Sequence, residues 1–519
     1  MKSIVDTLAE NSFFNLIGAI ANMSTRFAVS AIVARLLGPS QMGVYSLLIF
    51  IVGIAETFTN LGLQNLAIKY VSECAEEGQK NRAGTILVYV LKVKICTTVL
   101  AGTVLVLISG TLASFYGVTD LRSYIIFYAI ALIPSSLGMI FQTAIQGFQR
   151  YRILAVRNTI IGPLQILLTV IALKLGLNIQ GLIGVTVVLA FLDVSIYYWY
   201  LSRRLNVTLE YGNVPDQEIK SKLFRYNWQV AIIVMLDAIV WQRSEVFFLG
   251  KLSAQAEVAF YSMAYNLSSW LVAFLPGIFT SVLFPMMSRL YGENDRDSIR
   301  KLYLVSTRYL LILSIPTCIG GMLLSQQLVS GLYGDQYLPM VSVLRILMLS
   351  ASAGVIASPG ASVLYSTERQ SIIMKVGSII AIGNITLDLI LIPKFGAMGA
   401  ALANSSAQIS GVIIGTLFVC RSIRVRFPFE SLLKITISSG IMILNILLLM
   451  SISNSLGILL MCIITSAFVY FYCLIRIKTF KESDINILSL LEGKLPLVLQ
   501  ILYKKIILNI RRHAIADTI

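Results

Sequence analysis

Fourteen apolar runs of membrane-spanning length divide this chain. They lie at roughly 11–34, 42–63, 85–109, 123–146, 158–175, 181–202, 228–249, 257–284, 303–325, 342–364, 373–392, 398–420, 432–451 and 455–475. A bilayer core takes about 20 apolar residues per helical span. The mean hydropathy is +0.82, and only 13% of the 519 residues are charged. Soluble domains carry about 25%. A surface this apolar is not stable in water, so the expected fold is all-α, a polytopic membrane protein of about 14 transmembrane helices.

The net charge of +16 would suit nucleic acid, but its distribution does not. With the N-terminus inside, thirty-one of the 41 Lys and Arg fall on the inner side and five on the outer. Inner examples are Lys80, Arg82, Arg150, Arg152, Arg203, Arg204, Arg300 and Lys301; the outer five are Arg35, Arg122, Lys174, Lys251 and Lys394. Basic loops mark the cytoplasmic side. A multi-pass protein of the cell membrane, with both termini cytoplasmic and no nucleic-acid partner, is expected. The longest outer loop, about 326–341, has no room for an extracytoplasmic catalytic domain.

The chain also repeats. Residues 35–46, from Arg35-Leu36 to Tyr45-Ser46, match residues 251–262, from Lys251-Leu252 to Tyr261-Ser262. Gly181-Leu182-Ile183-Gly184 matches Gly396-Ala397-Met398-Gly399 at nearly the same offset, and 78–82 loosely matches 292–296. A constant offset is the mark of a duplication. Six spans per copy make two parallel six-helix lobes, related by an axis along the membrane normal. The expected division is an N-terminal lobe (1–202), a cytoplasmic link (203–227), a C-terminal lobe (228–420), two extra helices (421–476) and a basic tail (477–519). Within the tail, 495–510 reads as a surface-lying amphipathic helix.

Charges inside spans are costly, about 2.5–3.5 kcal/mol each at mid-bilayer, and face a polar cavity or a partner. Arg26 lies mid-span on a stripe of Ser12, Asn15, Ala19, Asn22 and Ser30, whose spacings of three and four share one helix face. It is either a cavity cation for an anionic substrate or a structural partner of Glu56. Glu56 in turn pairs with Arg26 or takes a proton or cation. In span 7, Asp237, Trp241 and Glu245 share a face and Arg243 points elsewhere. The two acids are candidates for a coupling cation and Arg243 for substrate, with snorkelling to the outer interface as the alternative for Arg243 and Glu245. Asp193 in span 6 shows no evident partner and is a weaker coupling candidate. Lys92 and Lys94 read as headgroup lysines, and Arg345 with Asp388 as a structural pair. The polar cluster Asn404, Ser405, Ser406, Gln408 and Ser410 suits either a wet cavity or small-residue packing.

Several chemistries are unsupported. His513 is the only histidine, and the six cysteines form no CxxC, so no metal or His-based site is expected. No P-loop motif occurs. No cofactor is expected beyond a coupling Na+ or H+.

The segment Ala34-Arg35-Leu36-Leu37-Gly38-Pro39-Ser40-Gln41-Met42-Gly43-Val44-Tyr45 resembles the Wzx-type polysaccharide and oligosaccharide flippases, whose superfamily also holds the MATE drug exporters and the lipid II flippase. Gln146-Gly147-Phe148-Gln149-Arg150-Tyr151, Val258-Ala259-Phe260-Tyr261-Ser262 and Gly396-Ala397-Met398-Gly399-Ala400-Ala401 match as well, and the resemblance covers roughly 10–475. It implies two lobes around a cationic cavity, a polyprenyl-diphosphate-linked oligosaccharide as substrate and membrane lipids as surroundings. It implies a non-enzymatic monomeric transporter with Arg26, and less strongly Arg243, at the diphosphate. Members often carry Asp-Arg or Asp-Lys where this chain has Gln242-Arg243. A cation-coupled multidrug or small-molecule antiporter is the second reading; it wants an acidic cavity. A membrane glycosyl ligase or polymerase would need a large outer loop.

Overall fold

The computed structural model describes residues 2–60, 62–76, 78–207, 244–451 and 456–479. Among them every regular element is helical. Helix α1 (Lys2–Asn60) carries spans 1 and 2, broken at Gly38 with φ 75° and ψ 169°. Only glycine takes that backbone without strain, and Pro39 pre-sets the chain to restart the helix. Spans 11 and 12 repeat the device in α12 (Gln370–Ile423), which breaks at Gly396 with φ 53° and ψ −132°.

Between these come α2 (Leu63–Glu76), α3 (Lys80–Tyr116), α4 (Leu121–Gly147), α5 (Tyr151–Lys174) and α6 (Asn178–Trp199), which ends in a π turn at Tyr200–Arg204. Helix α7 (Ser244–Leu252) is the last part of span 7, and α8 (Gln255–Gly292), α9 (Arg296–Leu323) and α11 (Met340–Ser366) carry spans 8 to 10. The segment between spans 9 and 10 folds into α10 (Ser325–Tyr333) and a 3-10 turn, Asp335–Tyr337. Spans 13 and 14 are α13 (Phe429–Met450) and α14 (Leu456–Arg476). All fourteen apolar runs therefore meet described helices. Asp237, Arg243, most of the 203–227 link and the 495–510 segment lie outside the described residues.

Some helices begin earlier than their apolar runs. Helix α3 starts at Lys80 and has 37 residues, about 55 Å at 1.5 Å per residue, against a hydrocarbon core of about 30 Å. Helix α9 starts at Arg296 because Asp295 caps it, accepting the Ser298 N–H at 3.0 Å. Hydrogen bonds from the Ser298 hydroxyl and then from its backbone N–H hold the Asp295 carboxyl below its usual range. The cap is therefore fully present above the ordinary carboxylate pKa and is lost as pH falls through the lowered one.

The helices gather into two compact units, residues 1–260 and 261–519. In the first, α1 packs along α5, α3 on α4, α4 on α6, and α2 against α3 and α4. The end of this unit that carries Lys80 and Arg82 has a core of Leu66, Tyr70, Leu87, Phe141, Ile145, Tyr197 and Leu201. In the second, α11 packs on α12 and on α9, and α13 on α14 and on α9. Asn445 of α13 accepts from Thr465 and Ser466 of α14 at 3.2 and 3.0 Å, and the Tyr470 hydroxyl donates to the Ile312 carbonyl at 2.9 Å. Large apolar side chains such as Leu107 and Phe468 stand 76% and 73% exposed, a surface that only lipid covers without penalty.

The two copies of the repeated turn touch within the first unit. A Cβ at Gly43 would collide with the Gln255 carbonyl oxygen, and one at Gly250 would lie 2.9 Å from Leu47 and Tyr116. The Lys251 ammonium donates to the Phe115 carbonyl at 2.8 Å. Gly53, on the same helix half as Gly43, has open space around it. Gly43→Ala is expected to cost about 1–3 kcal/mol by overpacking, whereas Gly53→Ala is neutral or slightly stabilising. Thermal unfolding of both variants in detergent checks this; equal midpoints would contradict the close approach.

Candidate functional site

The first half of α1 has two contrasting sides. One is cut to fit α5. A Cβ at Gly18 would meet the Ala155 backbone at 3.2 Å, and one at Gly162 would collide with the Thr25 hydroxyl. Asn158 of α5 donates to the Gly18 carbonyl at 3.0 Å. The neighbouring face carries the polar stripe and stays open: Asn15 and Arg26 are exposed and Asn22 is half-buried. The Arg26 Nε donates to the Asn22 Oδ1 at 3.2 Å, an i, i+4 contact that steadies the side chain. Arg26 makes no ion pair among the described residues. It lies a little over three turns before Gly38, about 18 Å along the axis, and so near the middle of a core about 30 Å thick. The unused guanidinium nitrogens keep the fork that binds phosphate oxygens in pairs.

Glu56 has a different partner from the one its sequence position suggested. It lies within electrostatic reach of Lys94 of α3, though the two form no contact ion pair among the described residues, and it makes none with Arg26. Lys94 is only 1% exposed and its Nζ donates to the Thr59 hydroxyl at 2.8 Å. Thr97 donates to the Thr59 carbonyl at 3.0 Å, Thr98 to the Ser136 hydroxyl at 3.1 Å, and Tyr128 of α4 lies within electrostatic reach of Glu56. The reading of Lys94 as a headgroup lysine is thus corrected. Because α3 begins at Lys80, Lys94 is almost four turns inside the helix, facing the opposite way from exposed Lys92. A buried charge needs a counter-charge near it, and the Lys94–Thr59 bond ties α1 to α3.

Asp193 also has a partner. Arg157 grips it with both arms, Nε to Oδ1 at 2.7 Å and Nη2 to Oδ2 at 2.5 Å, and Arg157 further donates to Asn158 at 2.9 Å. Arg157 lies in the second turn of α5. Glu245 is 1% exposed and engaged by the protein, so it does not snorkel. The Arg345–Asp388 pair does not form. Arg345 donates instead to the Met322 carbonyl at 3.1 Å and the Ser325 hydroxyl at 2.9 Å, where the last carbonyls of α9 attract a cation. Asp388 is fully buried and engaged elsewhere.

In the second unit the polar cluster of span 12 serves both ends considered for it. Ser405 donates to the Ile346 carbonyl at 3.2 Å, close packing of α12 on α11. Gln408 donates to Asn404 at 3.2 Å and lines a cavity of about 280 Å³ with Tyr265, Ser268, Ser269 and Ser350. Sequence reasoning missed Asn158 and the bidentate Arg157. The signal was Asn158 one helical turn before Gly162, the small position that admits α1.

Lys94→Met is expected to destabilise the protein by about 1–3 kcal/mol, because it removes the donor to Thr59 and the cation within electrostatic reach of the half-buried Glu56 carboxylate. Adding Glu56→Gln should recover most of that loss, as thermal unfolding in detergent will show. Additive losses in the double variant would contradict the pairing.

Comparison with known proteins places these features. A family described as polysaccharide biosynthesis protein matches residues 32–342, and one described as lipid II flippase MurJ matches residues 251–478. A probable low-salt glycan biosynthesis flippase, Agl15 of Haloferax volcanii, is 23% identical over 443 residues, 84% of this chain and 88% of its own length. The solved lipid II flippase MurJ in an inward closed conformation superposes with TM-score 0.68 at 17% identity, covering 89% of this chain and 98% of its own. An inward-facing MATE multidrug resistance transporter gives 0.65 at 15% identity, with 78% and 94% covered. The fold is that of this transporter superfamily, and the chain belongs to the polysaccharide biosynthesis protein family.

Proposed function

We propose that this chain is a flippase. It carries a polyprenyl-diphosphate-linked oligosaccharide from the cytoplasmic to the outer leaflet of the cell membrane, for assembly of a surface glycan. The single observation that carries this reading is Arg26, an exposed guanidinium at mid-membrane depth on a polar face of α1, with most of its donors unused. A guanidinium in that place stabilises a diphosphate, which would otherwise meet only hydrocarbon. The family match and the likeness to a probable glycan flippase support the same substrate class.

The protein works by rocking of its two six-helix halves, so that the polar face opens inward and then outward. It acts as a monomer with both termini in the cytoplasm, which the basic inner loops support. Its driving ion is Na+ or H+. Asp237 and Glu245 remain the coupling candidates, whereas Asp193 is occupied by Arg157. The antiporter reading is weaker because the open mid-membrane group on α1 is a cation, which repels the organic cations that such a protein exports.

The test is leaflet movement of a fluorescent polyprenyl-diphosphate oligosaccharide in liposomes, read by an external glycosidase. The wild type is expected to transport. Arg26→Ala should lose at least about tenfold in rate, the equivalent of one charge-assisted bond at about 1.5–3 kcal/mol, and Arg26→Lys should fall between. Transport by Arg26→Ala at the wild-type rate would contradict the assignment. Imposed Na+ and H+ gradients, applied separately, identify the coupling ion by which of them raises the rate.

A further inference from the structure

The cytoplasmic end of the first unit contains a second polar feature. A cavity of about 330 Å³ opens between the start of α1, α2 and the α4–α5 junction. At about 30 Å³ per water it has room for about eleven, the bulk of a monosaccharide. Among the described residues its polar lining is Asn11, Asn15, Ser72, Gln146, Gln149 and Tyr151.

We infer that this cavity is a subsite for neutral sugar residues of the transported glycan, held by the carboxamides of Asn11, Asn15, Gln146 and Gln149 beside the Tyr151 ring. The inference rests on the flippase function proposed above and adds to it the place where sugars are recognised.

Three observations carry it. First, the four carboxamides form no hydrogen bond with any described residue. Each offers two donors and an acceptor, and gathering four idle amides in one concavity suits a ligand rich in both kinds of group. Ser72 donates to its own helix, at 2.8 Å to the Ile68 carbonyl, which leaves its oxygen as an acceptor. Secondly, no charged side chain among the described residues lines the cavity. The nearby Arg152 lies over the Phe14 ring at 5.8 Å. A phosphate would be left with neutral donors only, and a hydrocarbon chain would leave the amides unsatisfied; a polyol matches. Thirdly, the chain is shaped to form the concavity. A Cβ at Gly147 would lie 2.9 Å from the Val71 side chain, so glycine admits α4 against α2. Gln149 adopts φ 54°, a left-handed conformation that few residues with a Cβ accept. Its N–H donates to the Gln146 carbonyl at 2.8 Å, which holds the turn.

The cavity is joined to Arg26 by the stripe on α1. Asn15 lies about 16 Å from Arg26 along the helix. With the diphosphate at Arg26, the sugars that reach the cavity are distal ones, so the subsite reads glycan length and not the first sugar.

The test is binding of two probes to the purified full chain. One is the polyprenyl-diphosphate oligosaccharide pool extracted from the cells that make this protein; the other is the same pool trimmed by exoglycosidases to one sugar. The wild type is expected to bind the whole pool about fivefold or more tighter than the trimmed one, the worth of one or two net hydrogen bonds. Asn15→Ala with Gln146→Ala should reduce that preference to within about twofold and leave affinity for the trimmed probe unchanged. Asn11→Ala should give a partial loss, and Arg26→Ala should weaken both probes alike. Equal binding of the two probes by the wild type would overturn the subsite. So would a double variant that keeps the preference, or one that loses both probes together. If the wild type binds neither probe, the function proposed above fails and the subsite with it.

Discussion

Water is absent from the hydrocarbon core, so every peptide group there must be satisfied within the protein. This constraint makes the described chain helical throughout and concentrates its breaks at the membrane edges. Gly38-Pro39 and Gly396 show how narrow the allowance is. Each ends one span and starts the next with a single left-handed glycine. The same constraint explains the side-chain hydroxyls. Thr25, Thr57, Thr143 and Ser438 return their protons to the carbonyl one turn earlier, which hides a donor at no cost in partners.

Charges obey a harsher version of the rule. Arg157 closes on Asp193, and Lys94 is held by Thr59 within electrostatic reach of Glu56; both arrangements join helices of the first unit. Arg26 is the contrast. It sits at comparable depth, yet its one bond is to a neutral amide on its own helix. A cation left so incompletely satisfied needs water or a ligand anion around it. The division between engaged charges and an open cation separates groups that hold the unit together from the group we propose meets the substrate. In the second unit Arg345 is spent on the end of α9 and belongs with the first kind.

Much of this was legible in the sequence because it depends on local pattern. Span lengths, basic loops and the repeat follow from composition in windows of about twenty residues. The stripe from Asn15 to Arg26 follows from helical periodicity. What was not legible depends on which helices are neighbours. Nothing in the order of residues says that α3 begins at Lys80 and therefore carries Lys94 into the interior. Nothing local says that Arg157 meets Asp193, thirty-six positions away, or that Arg345 prefers a helix end to Asp388. The contact of the two repeated turns, through Gly43 and Gln255, likewise needed coordinates, although the repeat itself did not.

The central claim is that the stripe on α1 faces a watery path with Arg26 in it. Cysteine labelling tests it most directly, in a background with the six native cysteines replaced. Single cysteines are placed at Asn15, Asn22, Arg26 and Leu107, and a membrane-impermeant thiol reagent is applied to the folded protein in vesicles. The account predicts rapid labelling at the three stripe positions, slowed by added lipid-linked oligosaccharide, and none at Leu107. Labelling of the stripe as slow as that of Leu107 would place Arg26 against lipid and contradict the account.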